Sequence, residues 1–190
     1  LVITASARLD NRAELAARMA VPPHTLAGMS DDALILRAYE KWGPQCPTQL
    51  LGDFAFVIWD GPNRRVFCAR DHMGIKPLFY AADKAYFVFA SDPQAVAAHP
   101  KVGDDISRLA VARYLGEGDL FDDRLTFFHS VLKLPPATSL ILDNKGIREH
   151  RYWTPENAPA IRCADERDYI EQLEQLLVSA VSARLPADSP

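Results

Sequence analysis

The stretch Asp53–Tyr80, DFAFVIWDGPNRRVFCARDHMGIKPLFY, decides how this chain is read. It opens with Phe54, Phe56 and Ile58 on one side of a strand and Ala55, Val57 and Trp59 on the other. Both sides are apolar, so the strand is expected to be covered on both faces. Asp60-Gly61-Pro62-Asn63 is dense in turn formers, and Arg64–Ala69 should fold back as the neighbouring strand. The loop Arg70–Pro77 then carries charge and glycine towards a third strand around Phe79-Tyr80. Within it Arg70 and Asp71 read as a salt bridge that fixes the loop, and His72 as a hydrogen-bonded loop residue.

Around this stretch the composition is ordinary. The 190 residues hold 21 Lys and Arg against 25 Asp and Glu, a formal charge of -4, with 48% hydrophobic and 24% charged residues. A chain of this length can bury one full core and part of another. No run of Lys and Arg offers a phosphate-binding face, which argues against a nucleic-acid partner. No apolar run approaches the roughly 20 residues that cross a bilayer, so no membrane partner is expected. Cys46, Cys68 and Cys163 are far apart, odd in number and not at metal-ligand spacing with the five histidines. They read as structural or incidental, and a reducing cytoplasm fits them best.

Further out, Leu1–Leu9 reads as a strand, and Asn11-x-x-Glu14 is spaced as a capping box for a helix that Pro22-Pro23 stops. Ser30 suits the N-cap of the next helix, with Asp31 and Asp32 in its first turn and Leu34, Ile35, Ala38 and Trp42 at helical spacing up to Gly43-Pro44. Ala82-Asp83-Lys84 should link Phe79-Tyr80 to Tyr86–Ala90, and Ser91-Asp92-Pro93 should start a short helix over Gln94–His99. Another helix is expected over Ser107–Leu115, then a polar loop over Gly116–Arg124 whose Glu117, Asp119, Asp122 and Asp123 read as solvated rather than as a metal site. Thr138–Leu142 and Ile147–Trp153 read as a hairpin. Thr154–Ala164 is rich in Pro and Ala and reads as a linker. Asp165–Leu185 is an amphipathic helix with Tyr169, Leu173, Leu176, Leu177, Ala180 and Leu185 on one stripe, which suggests the start of a second domain. Paired strands with helices outside predict a layered α+β domain with an antiparallel core.

The Asp53–Tyr80 stretch resembles the ARDxxGIKPLYY segment of the glutamine-hydrolysing asparagine synthetases, and other motifs follow in the same order. Arg8–Arg12 resembles GEIYNH, Ser30-Asp31 resembles the SDTE element, and Thr126–Pro136 resembles TFFxGIxxLPPG. Arg151-Tyr152-Trp153 resembles RYWDP, and Leu185–Pro190 resembles the approach to the synthetase domain. The resemblance implies the αββα four-layer sandwich of N-terminal-nucleophile hydrolases, incomplete at its N-terminus. It assigns residues 1–153 to a glutaminase-like domain, 154–164 to a linker and 165–190 to the first helix of an ATP-binding synthetase domain.

In that family an N-terminal cysteine attacks the side-chain amide of glutamine while its own α-amine shuttles the proton. The ammonia then reaches a second domain, where ATP has adenylated the β-carboxylate of aspartate. The resemblance places that cysteine ahead of Leu1, so no catalytic residue is expected within this chain and no glutamine hydrolysis as it stands. Ser6 and Ala7 fall where the family has its Asn-Gly oxyanion pair, and Arg8 falls where a glutamate meets the substrate amine. Losing the side-chain amide removes roughly 3 kcal/mol of transition-state stabilisation. Asp31 matches the aspartate that holds the glutamine α-amino group, although the acid usual two places later is Ala33. Read without the resemblance, Asp31 is a first-turn helix acid. Arg70 and Asp71 are assigned to an interface with the second domain. No cofactor is expected in this chain, while ATP and Mg2+ are expected of the synthetase domain. The implied partners are glutamine and the C-terminal synthetase domain of the same chain, with a homodimer open. Two functions follow: part of a ligase that amidates aspartate with nitrogen from glutamine or ammonia, or a degenerate scaffold in a ring-forming relative of the beta-lactam synthetase or lasso-peptide cyclase type.

Overall fold

The alternation read in Asp53–Trp59 is the axis of the structure. A computed structural model describes residues 1–83, 85–120 and 122–185. Strand β2 (Gly52–Asp60) turns Phe54, Phe56 and Ile58 into one core and Ala55 and Val57 into another. Its neighbour β3 (Arg65–Arg70) does the same, with Phe67 and Ala69 on the first side and Cys68 on the second. A strand apolar on both faces is thus covered on both. Trp59 departs from the pattern: at the strand's end it is 48% exposed.

Five antiparallel strands form the first sheet, in the order β1-β2-β3-β7-β8, with β1 (Val2–Leu9) at one edge and the hairpin β7 (Thr138–Asp143) and β8 (Gly146–Arg151) at the other. Helices α1 (Arg12–Arg18) and α3 (Asp31–Trp42) cover one face, burying Leu15, Leu34, Ile35, Ala38 and Tyr39 against the phenylalanines. Gly43, with φ +56, follows α3 in the conformation that glycine tolerates. The opposite face meets a second antiparallel sheet, ordered β5-β4-β6, of β5 (Tyr86–Ala90), β4 (Phe79–Asp83) and the two-residue β6 (Leu132–Lys133). Tyr80, Leu78 and Leu134 meet Ala55, Val57, Cys68 and Leu140 between the sheets. On the outer side of the second sheet, Ala81 and Val131 meet Val96 and Ala97 of α4 (Pro93–Ala97). The layers are helix, sheet, sheet, helix: the four-layer α+β sandwich.

The sequence reading needs several local corrections. Asn11 stands at the N-cap of α1 but makes no cap bond; it donates to Gln49 O at 3.0 Å and accepts from Leu51 N–H at 3.0 Å, tying the end of β1 to the entry of β2. Ser30 likewise precedes α3 without capping it. Pro23 begins a helical turn, α2 (Pro23–Leu26), rather than only ending α1, because proline suits a first helical position. Helix α5 (Arg108–Glu117) runs two residues into the expected polar loop, and β6 has no counterpart in the sequence reading. Lys84, Phe121 and residues 186–190, which fall in the expected β4–β5 link, the polar loop and the end of the last segment, lie outside the described residues.

The chain divides into a unit of Leu1–Thr154 and a unit of Pro155–Pro190. The second holds helix α6 (Glu166–Ser182), capped by the Asp165 carboxylate on Arg167 N–H, with Tyr169, Leu173, Leu176 and Leu177 exposed. Among the described residues no helix is long and apolar enough to cross a membrane.

Candidate functional site

Strand β1 sorts the sequence-predicted residues by its pleat. Cross-strand partners share a face, so Ala7, opposite Phe54, points to the helix layer, while Ser6, opposite Ala55, points to the second sheet. Arg8 shares the Ser6 face and pairs directly with Asp53: Nη2 reaches Asp53 Oδ2 at 3.1 Å and Nη1 reaches Asp10 Oδ1 at 2.5 Å. Both carboxylates hold the guanidinium over β2.

Asp31, the first residue of α3, is on the other side. Asp10 N–H bonds across to Leu51 O, so Leu9 N–H points the opposite way, towards the edge of the sheet, and donates to Asp31 Oδ2 at 2.9 Å. The second oxygen, Oδ1, takes an ion pair from Arg12 Nη1. The other arm of that guanidinium donates to Met29 O at 2.5 Å and Leu26 O at 3.4 Å. These groups border a groove of about 400 Å3 lined by Ala5, Ala7, Arg12, Ser30, Asp31 and Asp32. The Ser30 hydroxyl, through its hydrogen bond, holds the Asp32 carboxyl below its usual range. Ala7 and Asp31 therefore share a groove. Ser6 borders a different one, with Thr4, Ala55, Val57, Leu78, Phe89 and Ser91.

Arg12 was absent from the sequence-predicted site. Its cue was its place: a cation at the first position of a helix opposes the helix dipole and calls for a compensating partner. That partner lies 19 residues away, beyond the reach of local spacing.

The loop after β3 is built differently. Arg70 is 7% and Asp71 1% exposed. Instead of the expected salt bridge, each is satisfied by backbone. Arg70 donates to the carbonyls of Lys76 (2.7 Å), Leu134 (2.7 Å) and Gly74 (2.5 Å). Asp71 accepts from the N–H groups of Met73 (3.1 Å), Ile75 (2.9 Å) and Lys76 (2.9 Å). Burial lowers the Arg70 pKa, opposed by the nearby Asp71 and Asp123. Beside the loop His72 stands edge-on to Phe54, Tyr152 and Trp153, and its pKa is lowered by burial against the pull of Asp71. Tyr152 donates its hydroxyl to Arg70 O at 2.6 Å.

Other candidates are chemically quiet. Burial pushes the Cys46 and Cys68 thiols up, away from thiolate chemistry. Asp122 spends its carboxylate on Arg113 and on the N–H groups of Arg124 and Leu125. Among the described residues no three of His, Cys, Asp and Glu gather to hold a metal ion.

Comparison with known proteins agrees with the architecture. Glutamine-hydrolysing asparagine synthetase 3 of Bacillus subtilis is 31% identical over 181 residues, covering 95% of this chain and 28% of that protein. Amidase chry2 of Gibberella zeae is 31% identical over 168 residues, covering 86% of this chain and 24% of that protein. The chain thus spans about a quarter of the length of these relatives. Among solved structures, the glutamine phosphoribosylpyrophosphate amidotransferase of B. subtilis, complexed with ADP and GMP, superposes with a TM-score of 0.50 at 16% identity, over 80% of this chain and 29% of that one. This is a likeness of fold, that of the N-terminal-nucleophile amidotransferases. The glutamine amidotransferase domain family matches residues 1–153, and the chain belongs to that family.

Proposed function

We propose that this chain is the amidotransferase-like part of an asparagine-synthetase-type ligase, which amidates aspartate with nitrogen from glutamine or ammonia. One observation carries the reading. The match to the B. subtilis synthetase covers 181 residues, so it must run well past residue 153, where the amidotransferase family ends, into the segment that holds α6. An amidotransferase domain attached to a different partner would have no reason to stay similar there. On this reading ATP and Mg2+ belong to the synthetase part, and nothing among the described residues is assigned to them. The loop held by Arg70 and Asp71, with Met73 and Ile75 exposed on it, is the face offered to that part. The three free cysteines fit a reducing cytoplasm.

A second reading is favoured by the groove: the amidotransferase-like layer serves as a scaffold, and its parent closes an amide ring on an adenylated carboxylate. Arg12 engages Asp31, Arg8 is spent on Asp10 and Asp53, and Ser6 faces away from Asp31. Fold alone does not choose between these jobs.

The test is ATP–pyrophosphate exchange by the full-length protein. Exchange dependent on aspartate, with asparagine formed from ammonia, supports the first reading, and glutamine replacing ammonia extends it. Exchange that ignores aspartate removes the first reading and leaves the scaffold.

A further inference from the structure

We propose that Arg12 determines the specificity of the groove beside β1: its guanidinium occupies the place on Asp31 that the ammonium group of an amino acid would take, and so closes the groove to glutamine and its relatives. The proposal rests on the reading of Asp31 as the carboxylate of an amino-acid pocket.

Both Asp31 oxygens are engaged, one by Leu9 N–H and the other by Arg12 Nη1. The backbone N–H leaves the carboxylate its negative charge; the guanidinium neutralises it and leaves an incoming ammonium facing a like charge. Arg12 is also held in place. Its second arm is fixed on the carbonyls of Met29 and Leu26, in the turn that leads into α3, so the cation is seated by three groups of the chain rather than swinging in solvent. A cation tethered this way acts as an internal competitor at an effective concentration of about millimolar or above, and a free amino acid must displace it.

The groove holds one other anion, the Asp32 carboxylate beside Asp31, and its cation is Arg12. From β1 it receives only the methyl groups of Ala5 and Ala7. Closure of the groove therefore depends on one residue, and a single substitution should reopen it.

The test measures L-glutamine binding by calorimetry at millimolar ligand, using the full-length protein as wild type, Arg12→Gln, Arg12→Lys and the double variant Arg12→Gln/Asp31→Asn. The proposal expects no saturable binding to wild type, about a tenfold or greater gain in affinity for Arg12→Gln, and loss of that gain in the double variant. Arg12→Lys, which keeps a cation beside Asp31, is expected to stay closed. Binding by wild type that Arg12→Gln does not strengthen overturns the proposal. So does a tenfold gain in Arg12→Lys, a comparison that stands even if Arg12→Gln does not fold. A gain in Arg12→Gln that survives in the double variant also overturns it, but through the underlying assignment of Asp31 rather than through Arg12.

Discussion

The loop after β3 and the groove beside β1 each hold one arginine and one aspartate, and they use them in opposite ways. Arg70 and Asp71 are adjacent in sequence and deeply buried, yet each turns to backbone: three carbonyls for the cation, three N–H groups for the anion. Arg12 and Asp31 are 19 residues apart and partly exposed, and they meet as an ion pair. The difference follows from desolvation. A buried charge is tolerable only when hydrogen bonds replace its water, and one opposite charge does not fill a guanidinium's five donors. A partly exposed pair keeps some of its hydration, contributes less to stability and can be changed without unfolding the chain. The loop is therefore tied into the fold, while the groove is free to change its ligand.

The sharpest way to break this contrast is to remove each aspartate in turn. Asp71→Ala strands three N–H groups and leaves the buried Arg70 with Asp123 as its remaining nearby anion, so it is expected to lower unfolding stability by about 3–5 kcal/mol. Asp31→Ala strands one N–H group, that of Leu9, beside a partly exposed ion pair, and is expected to cost about 1–2 kcal/mol. Urea denaturation of both variants checks this, and equal losses would erase the distinction.

Gly74→Ala probes the loop's geometry. Gly74 has φ +67, and a Cβ there would lie 2.9 Å from Pro136 Cγ and 3.1 Å from Arg70 Cζ. The variant should lose roughly 1–3 kcal/mol, and more than Gly103→Ala, where φ is +80 but the space is open.

His72 sharpens the comparison through pH. Burial depresses its folded pKa below the ordinary 6.5, so the unfolded chain binds the proton more readily. Its contribution to stability is full above about pH 6.5 and is lost as pH falls from there through the folded pKa. His72→Leu should flatten thermal stability over that window; an unchanged slope would assign the pH dependence to other groups. The smallest expected effect is Arg12→Gln, which should change stability by less than about 1 kcal/mol and leave melting behaviour near that of wild type.

Much of the sandwich could be read ahead of its structure because its strands obey period two. Phe54, Phe56 and Ile58 against Ala55 and Val57 announce two covered faces, and the β7–β8 hairpin is announced by Asp143-Asn144-Lys145-Gly146. Trp59 misled because alternation does not say where the covering layer ends. Asn11 and Ser30 were placed correctly at helix starts, but neither side chain caps its helix; Asn11 reaches Glu14 locally at 3.4 Å and otherwise bonds to Gln49 and Leu51, which folding brings to it. The same limit hid the Arg12–Asp31 pair and the cross-strand pair of Arg8 with Asp53. Adjacency suggested an Arg70–Asp71 bridge, whereas burial dictated backbone partners. Local pattern carries layers well, and tertiary polar contacts poorly.

The hydroxyl of Tyr152 on Arg70 O has a mechanical consequence. The chain leaves the sheet through β8, an edge strand that a pull at Thr154 would otherwise peel away one bond at a time. Tyr152 intercepts the load first, through its N–H on Ala137 O and its hydroxyl on the end of β3, with the ring of His72 braced against it and against Trp153. Tension from the rest of the polypeptide is thus shared with the middle strand before the edge can unzip.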